Sequence, residues 1–281
     1  MMTQAALPLP KETIVRILDA MTAAARAAES VIREGASRRS SLVWQTKSMS
    51  DYLTEIDTTS EQVIRDRLLD TLGTEFGGLR VLGEESWTDE PVPGGLAFVV
   101  DPLDGTTNFL HGLPAFSVSI AAILDGEPLV ALVLDIPHNE LFTAVRGAGA
   151  RANGVPIQVS TVSEPTRALV ATGFPFGEDA DTIRYARQFM PVAERTAGIR
   201  RVGSAAIDLA WVAAGRFDAF WELSLSPWDI ASGILLVREA GGLVTGIDGV
   251  TAGIHSSPLV AGNPAMHSWL LDVLQHADAS A

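Results

Sequence analysis

The stretch that most constrains this chain is the run DPLDGTTNF at residues 101–109. The apolar segment LAFVV precedes it and has the length and composition of a buried strand. That strand therefore ends on two carboxylates three positions apart, Asp101 and Asp104. Because close carboxylates repel one another unless a cation lies between them, we expect a hard divalent ion here. The sequence predicts Mg2+, carrying a substrate phosphate.

The residues around the two acids predict a sharp turn. Pro102 has no N–H to donate, so we expect the ladder of the strand to stop there. Gly105 permits a tight turn, after which the amides and hydroxyls of Thr106 and Thr107 face a bound oxyanion. The alternative is an ordinary Asx-type turn, which needs only one of the two aspartates.

Composition excludes several classes of protein. At 281 residues with 47% hydrophobic and 19% charged residues, the chain can bury a large core, as two modest domains or one large α/β unit. A net charge of −14 disfavours nonspecific nucleic-acid binding. The absence of cysteine excludes disulfides, thiolate metal sites and cysteine nucleophiles. Without a signal-peptide pattern or a membrane-length apolar run, we expect a cytoplasmic protein with no membrane partner.

The first part of the chain reads as two helices joined by a loop. Apolar residues at helical spacing predict a helix over residues 11–34, and the polar stretch 35–50 is predicted to be a mobile loop. Thr58 and Glu61 fit a capping box that starts the second helix. Asp57 would then precede the cap and be available for chemistry, unless it is a solvated acid that favours the helix dipole.

Two further segments place acids near strand or helix ends. The short strand at residues 79–82 leads into Gly83 and Glu84, so two successive strands end in acids. Residues 226–233, SPWDIASG, begin a helix with Asp229 at its third position, where a purely capping role is an equal alternative. A domain boundary near residue 160 is predicted, giving domains at 1–160 and 161–281.

These segments together resemble a known family. The run at 101–109 resembles the first signature of the inositol monophosphatase family of Mg2+-dependent, lithium-sensitive phosphatases, and WDIASG at 228–233 resembles the second. Residues 51–57 and 83–86 match the family in the expected order. The resemblance implies an α+β fold, the layered α-β-α-β-α sandwich of the inositol monophosphatase and fructose-1,6-bisphosphatase type. It also implies a homodimer that hydrolyses phosphate monoesters by direct attack of water.

The resemblance also implies the metal ligands, for two to three Mg2+ ions per subunit. Glu84, Asp101 and the carbonyl of Leu103 are expected to hold the first ion. Asp101, Asp104 and Asp229 are expected to hold the second, and Glu84 helps with a weaker third. Asp101 would thus bridge two ions, whereas Asp104 serves only the second. Oxygen ligands suit Mg2+, and only five scattered histidines argue against a zinc site.

The same resemblance implies that the catalytic residues are Asp57, Thr106 and Glu84. Thr106, hydrogen-bonded to Asp57, would orient and help deprotonate the attacking water together with Glu84. The amides of Gly105 and Thr106, beside Asp104, would bind phosphate oxygens.

The resemblance also implies that the second domain binds the organic half of the substrate. Gly203, Ser204, Ala205 and Glu222 are expected to line its pocket, and Glu222 can accept hydrogen bonds from vicinal hydroxyls. Exposure of Glu222 at the surface is the alternative. The resemblance leaves open whether Arg200 and Arg201 contact substrate or a partner subunit, and it places Lys47 only loosely.

The predicted function is hydrolysis of myo-inositol 1-phosphate or a similar small polyol phosphate, an inositol-phosphate phosphatase activity. Fructose 1,6-bisphosphate, a 3′-phosphoadenosine 5′-phosphate type nucleotide and histidinol phosphate remain alternative substrates for the same chemistry. A non-catalytic metal-binding or protein-binding module is the alternative of a different class.

Overall fold

The computed structural model describes residues 7–48, 51–88, 94–175 and 181–279. These residues form seven α-helices: α1 Lys11–Ser37, α2 Glu55–Leu72, α3 Thr106–His111, α4 Thr182–Ala193, α5 Ala205–Ala213, α6 Pro227–Glu239 and α7 Pro264–Ala279. None of the helices in these ranges is both long and apolar enough to cross a bilayer.

The strands form three sheets. A small hairpin pairs β1 Gln45–Ser48 with β2 Asp51–Leu53. The largest sheet has seven strands in chain order: β3 Arg80–Gly83, β4 Leu96–Asp104, β5 Ser117–Leu124, β6 Glu127–Asp135, β7 Glu140–Val145, β8 Gly149–Ala152 and β9 Val155–Ile157. A five-stranded sheet has the order β11-β10-β12-β14-β13: β10 Leu169–Thr172, β11 Gly198–Arg200, β12 Ala219–Glu222, β13 Leu243–Gly246 and β14 Leu259–Gly262.

The elements stack as five layers. Helices α1 and α2 cover one face of the large sheet, and α5 and α6 lie between the two sheets. Helices α4 and α7 cover the outer face of the five-stranded sheet. The expected α-β-α-β-α sandwich is therefore confirmed. Helices α5 and α6 form the central layer, and their N-terminal residues lie near the edge of the seven-stranded sheet where β3 and β4 end.

The turn chemistry of the large sheet accounts for its register. Asp125 and Gly126 have φ of 53° and 84°, and Asn153 and Gly154 have φ of 48° and 79°. Positive φ at both central residues favours tight hairpins whose twist matches the flanking strands. Only β3 and β4 run parallel in this sheet, with Gly83 opposite Val100.

The predicted loop over residues 35–50 is wrong in part. Helix α1 continues to Ser37, a 3-10 turn follows at Arg39–Ser41, and β1 pairs with β2. The pairing with β2 supplies backbone hydrogen bonds that local composition does not reveal. The side chain of Lys47 lies outside the described residues.

The predicted start of α2 is also wrong. The N-cap is Thr54, not Thr58, and the helix begins at Glu55. Asp57 is the third helical residue, and its carboxylate accepts the Thr54 N–H at 2.8 Å. Asp57 therefore closes the capping box instead of preceding it. Two overlapping capping patterns four residues apart made the sequence ambiguous.

Strand β4 does not end at Pro102. The pairing with β5 is interrupted between Asp101 and Asp104, then resumes with Asp104 opposite Ser117. Pro102 therefore occupies an irregularity, where its missing N–H costs no ladder bond, and both aspartates stay on one strand.

Candidate active site

Three acids come together because β3 and β4 are parallel neighbours. Glu84 follows β3 directly, and Asp101 and Asp104 lie at the end of β4. Since the carboxyl ends of parallel strands meet at the same edge of a sheet, the three side chains face one cleft. The sequence prediction of acids at this edge matches their placement.

Asp229 reaches the same cleft from helix α6. Ser226 precedes the helix, Pro227 is its first residue, and Asp229 is its third, as the sequence predicts. The Asp229 Oδ2 accepts the backbone N–H of Ser226 at 2.7 Å. Helix α6 packs across β4, β5 and β6, which brings its N-terminus to the acids of β4.

Burial and the neighbouring acids raise the pKa of Asp101. Burial, and then the charges of Glu84, Asp104 and Asp229, raise the pKa of Asp101 well above its usual range. Asp101 is 2% exposed, and its Oδ1 accepts the Leu103 N–H at 3.0 Å. Crowded carboxylates of this kind are costly unless a cation offsets their charge.

The ligand atoms that these residues offer are of the chemical type that a hard divalent ion binds. Four carboxylates and the Leu103 carbonyl supply only oxygen donors, which Mg2+ prefers. In the described ranges no three acidic or histidine side chains are already grouped at ligand spacing around one point. Asp104 and Asp229 instead each turn Oδ2 to a protein donor. The repulsion at Asp101 is the feature that a bound cation would relieve.

Asp104 is held by the start of helix α5. Its Oδ2 accepts from the Ser204 hydroxyl and from the Ala206 N–H at 2.8 Å, with Ser117 Oγ at 3.5 Å. Burial raises the pKa of Asp104, and these hydrogen bonds oppose that effect. Ser204, predicted as a substrate-binding residue, lines the cleft. Its hydroxyl, however, donates to Asp104 and accepts the Ile207 N–H. The contacts with Ser204, Ala206 and Ser117 are all made to Oδ2 of Asp104.

Asp57 and Thr106 form a hydrogen-bonded pair behind the acids. Thr106 Oγ1 lies 2.9 Å from Asp57 Oδ1 and 2.9 Å from the Leu103 carbonyl oxygen. A hydroxyl has one proton, so it can donate fully to only one of these acceptors at a time. Burial raises the pKa of Asp57, and hydrogen bonds from Thr54 and Thr106 oppose the rise.

The turn between β4 and α3 requires glycine. Gly105 has φ of +87°, and a Cβ there would lie 2.8 Å from the Ala115 carbonyl oxygen. The following Asn108 joins the two halves of the chain, because its Nδ2 donates to the carbonyls of Ala115, Val202 and Gly203 at 2.7, 2.9 and 3.2 Å. Residues 203–205 are thereby held beside the acids.

Glu222 closes the other end of the cleft. It is the last residue of β12 and 6% exposed, so the alternative of an exposed surface acid is wrong. Its carboxyl lies over Gly173, where an added Cβ would come within 2.0 Å of Glu222 Cδ. Burial first, and the charge of Asp229 next, raise the pKa of Glu222 well above its usual range, while Arg201 opposes the rise.

One cleft of about 370 Å³ contains every predicted site residue except Asp57, which lies behind Thr106. Arg201 also lines it, with its guanidinium 5.4 Å from the Phe174 ring centre, whereas Arg200 does not. Thr107, which the sequence placed beside a bound oxyanion, also lines the cleft, whereas the sequence did not identify several other lining residues: Tyr52, Gly173, Phe174, Pro175, Asp208, Ser224 and Leu225. Asp208 alone carried a signal, as the one charge in an apolar helix. A second cleft, of about 480 Å³ between α4 and α7, contains none of the predicted residues.

The five-layer sandwich and the acids gathered at the end of a parallel strand pair agree with what the resemblance to metal-dependent phosphatases implies. The model of the inositol monophosphatase family matches residues 15–279, and the chain belongs to that family.

Three relatives illustrate the similarity. The chain is 43% identical over 256 residues to a Nus factor SuhB of Pseudomonas aeruginosa, covering 90% of this chain and 93% of that protein. It is 41% identical over 229 residues to an inositol-1-monophosphatase of Rhizobium meliloti, covering 82% and 85%. The crystal structure of the extragenic suppressor protein suhB from Bartonella henselae superposes with a TM-score of 0.85 at 37% identity, covering 92% of this chain and 98% of that one.

Proposed function

We propose that this protein is a Mg2+-dependent phosphomonoesterase acting on myo-inositol 1-phosphate or a similar small polyol phosphate. The observation that carries the proposal is the crowding of Glu84, Asp104 and Asp229 around buried Asp101, in the cleft that also holds Glu222. We propose that the enzyme works as a cytoplasmic homodimer.

In this proposal the metal ligands are those expected from the family. Glu84, Asp101 and the Leu103 carbonyl hold one Mg2+, and Asp101, Asp104 and Asp229 hold another, with Glu84 contributing to a weaker third. Bound Mg2+ supplies charge that polarises the phosphate and lowers the pKa of water. The hydrogen bonds on Asp104 Oδ2 support this assignment, because they fix the position of a carboxylate that lines the cleft.

Asp57 and Thr106 handle the proton of the attacking water. With the Leu103 carbonyl engaged elsewhere, the single Thr106 proton is donated to Asp57, and Thr106 Oγ1 can accept from water. Asp57 acts through Thr106 and is a positioning residue. Glu84 lies in the cleft and shares the role of base. The amides of Gly105 and Thr106 bind the phosphate oxygens.

The organic half of the substrate lies between the segment 203–205 and Glu222. A buried carboxylate is a strong acceptor for hydroxyl groups, and a sugar alcohol offers them in vicinal pairs. A substrate with a second phosphate would bring negative charge against Glu222, which favours a polyol monophosphate over fructose 1,6-bisphosphate.

A phosphate-release panel tests the proposal. With Mg2+ present, we expect the fastest release from myo-inositol 1-phosphate, slower release from the bisphosphate, nucleotide and histidinol phosphates, and inhibition by lithium. Asp101→Asn is expected to reduce release roughly 1,000-fold, because metal binding supplies several kcal/mol. Full activity of Asp101→Asn would show that the metal assignment is wrong. No release from any substrate by the wild type would favour the binding-module alternative.

A second candidate role comes from the relatives whose name is Nus factor SuhB, one of them 43% identical to this chain. We propose that this chain shares that role. Complementation of an Escherichia coli strain lacking its own SuhB tests this. Rescue by both wild type and Asp101→Asn would support the second role, and failure of both would exclude it.

A further inference from the structure

The proposed mechanism leaves one buried acid of the cleft without a task. Asp208 lies in the first turns of α5, whose other eight residues are uncharged. It is 1% exposed and lines the same cleft as Asp101 and Glu222. Its position is far along the chain from the acids at the end of β4, on the side of the cleft assigned to the organic half of the substrate.

Within the described part of the chain, the Asp208 Oδ1 has no hydrogen-bond partner. Buried acids are normally paired or hydrogen-bonded, because an unsatisfied carboxyl loses its interactions with water and gains nothing in return. Asp104, by contrast, lies in the same cleft and its Oδ2 accepts from Ser204 and Ala206. Folding stability therefore does not account for an acid at position 208.

The charged groups that act on Asp208 make its position still less favourable. Burial, and then the charges of Glu222 and Asp104, raise the pKa of Asp208 well above its usual range, and only Arg201 opposes them. A negatively charged ligand group at this wall would meet two acids. A neutral group that donates hydrogen bonds would satisfy both.

We propose that Asp208 and Glu222 together form the polyol-binding wall of the cleft, with Asp208 accepting hydrogen bonds from substrate hydroxyls that Glu222 does not reach. This inference rests on the proposed phosphatase function and adds a second specificity-determining residue to it. The recognised group is an uncharged diol or triol. A cationic amine is the competing ligand that two acids also fit, and it is an outcome of the test below.

The experiment compares kcat/KM for myo-inositol 1-phosphate with kcat/KM for phenyl phosphate, which has no hydroxyl groups on its organic half. The ratio of the two values removes effects on metal binding and water attack. We expect Asp208→Asn to lower this ratio about fivefold and Asp208→Ala at least about tenfold, mainly through KM for the inositol substrate.

Thermal unfolding supplies a readout that separates recognition from a structural role. Because the carboxyl is buried beside other acids, Asp208→Asn is expected to raise the Tm of the metal-free protein by about 2 °C or more. Asp135→Asn is the matched control: Asp135 is fully buried but outside the cleft and is hydrogen-bonded by His138 at 2.9 Å. Burial raises the pKa of Asp135 as well, with His138 opposing the rise, so this variant serves as the control for the substrate ratio, which it is expected to leave unchanged.

The outcomes separate the inference from the function on which it rests. A lowered ratio with a raised Tm supports recognition by Asp208. An unchanged ratio overturns the inference even if the wild type is an active phosphatase. A wild type that hydrolyses histidinol phosphate in preference to the inositol substrate, with that preference lost in Asp208→Asn, overturns the polyol assignment in favour of an amine. A wild type inactive on all these substrates overturns the proposed function itself.

Discussion

Helices α2 and α6 begin with the same arrangement and use it differently. In each, the third residue is an aspartate whose Oδ2 accepts the N–H of the N-cap residue, at 2.8 Å for Asp57 and 2.7 Å for Asp229. Asp57 is 2% exposed and its Oδ1 accepts from Thr106 at 2.9 Å. Asp229 is more exposed, lines the cleft, and its charge raises the pKa of Asp101.

The difference shows how one local motif serves two chemical roles. A capping bond fixes one oxygen of the aspartate and so fixes the direction of the other. At α2 the second oxygen meets a protein hydroxyl, which suits a residue that positions a proton acceptor. At α6 the aspartate lines a cleft that other acids also line, which suits a residue that shares a cation.

Asp229→Asn gives the largest expected effect. The amide oxygen can still accept the Ser226 N–H, so the fold should persist, but one negative charge of the proposed metal site is lost. We expect phosphate release to fall roughly 100- to 1,000-fold, with a higher Mg2+ concentration for half-maximal rate. Mg2+ titrations of wild type and variant measure both quantities. Activity within about threefold of wild type would mean that Asp229 only caps α6.

Asp57→Asn is expected to have a smaller and different effect. Asparagine keeps the size of the side chain but weakens the acceptor that faces Thr106, so kcat should fall about 100-fold, within the range for a proton-transfer group. The Mg2+ dependence should stay unchanged, because Asp57 is not in the cleft. Thr106→Ser, which retains the hydroxyl, is the matched control and should keep most activity. An equal shift in Mg2+ dependence for Asp57→Asn and Asp229→Asn would remove the distinction between the two helices.

The same two helices show what local sequence can and cannot predict. At α6, Pro227 after Ser226 allows one starting point, and the predicted cap is observed. At α2, Thr54 with Asp57 and Thr58 with Glu61 are both acceptable caps. The first is formed because Glu61 is used elsewhere: its carboxylate accepts the Glu85 N–H at 2.8 Å. That contact spans 24 positions, so no local pattern contains it.

The layers and the acid cluster could be predicted from the sequence, whereas the cleft wall that contains Asp208 and Glu222 could be predicted only in part. Strand ends and hairpin turns are local features, and the family resemblance ordered them. Asp208 was missed because its significance depends on α5 packing between two sheets, which turns one charge of an apolar helix towards the cleft. The bonds from Asn108 to Val202 and Gly203 likewise join segments more than 90 positions apart.

Replacing the N-cap residues Thr54 and Ser226 by alanine tests how much each cap stabilises its helix. Thr54 Oγ1 accepts from the Ile56 N–H and donates to Asp57 Oδ2 at 2.6 Å, so Thr54→Ala should cost about 1 kcal/mol, or about 2 to 4 °C in Tm. It should also lower kcat severalfold, because Asp57 loses a support. Ser226→Ala keeps the backbone N–H that Asp229 accepts, so a smaller loss is expected. Thermal unfolding and kcat for both variants provide the measurement, and a larger loss for Ser226→Ala would contradict the assignment.

The smallest expected effect is the pH dependence of stability in the metal-free protein. The pKa values of Asp101, Asp208 and Glu222 are raised in the folded state by burial and by neighbouring acids. An acid with a raised folded pKa stabilises the fold most at low pH, and this contribution is lost as the pH rises through that pKa. Unfolding in EDTA should therefore show a Tm that falls as the pH rises above about 4.5, the upper end of the ordinary carboxyl pKa range.

Asp229→Asn should flatten this slope, because it removes one of the charges that raise the pKa of Asp101. Mg2+ should flatten it in the wild type, since a cation offsets the same repulsion. Glu29→Gln is the matched control: Arg26 and Arg33 lower the pKa of Glu29 despite the opposing effect of burial, so its titration lies below this pH window. A slope equally steep in wild type, Asp229→Asn and the Mg2+ sample would show that Asp229 does not share a cation with Asp101, and that α6, like α2, directs its aspartate to the protein alone.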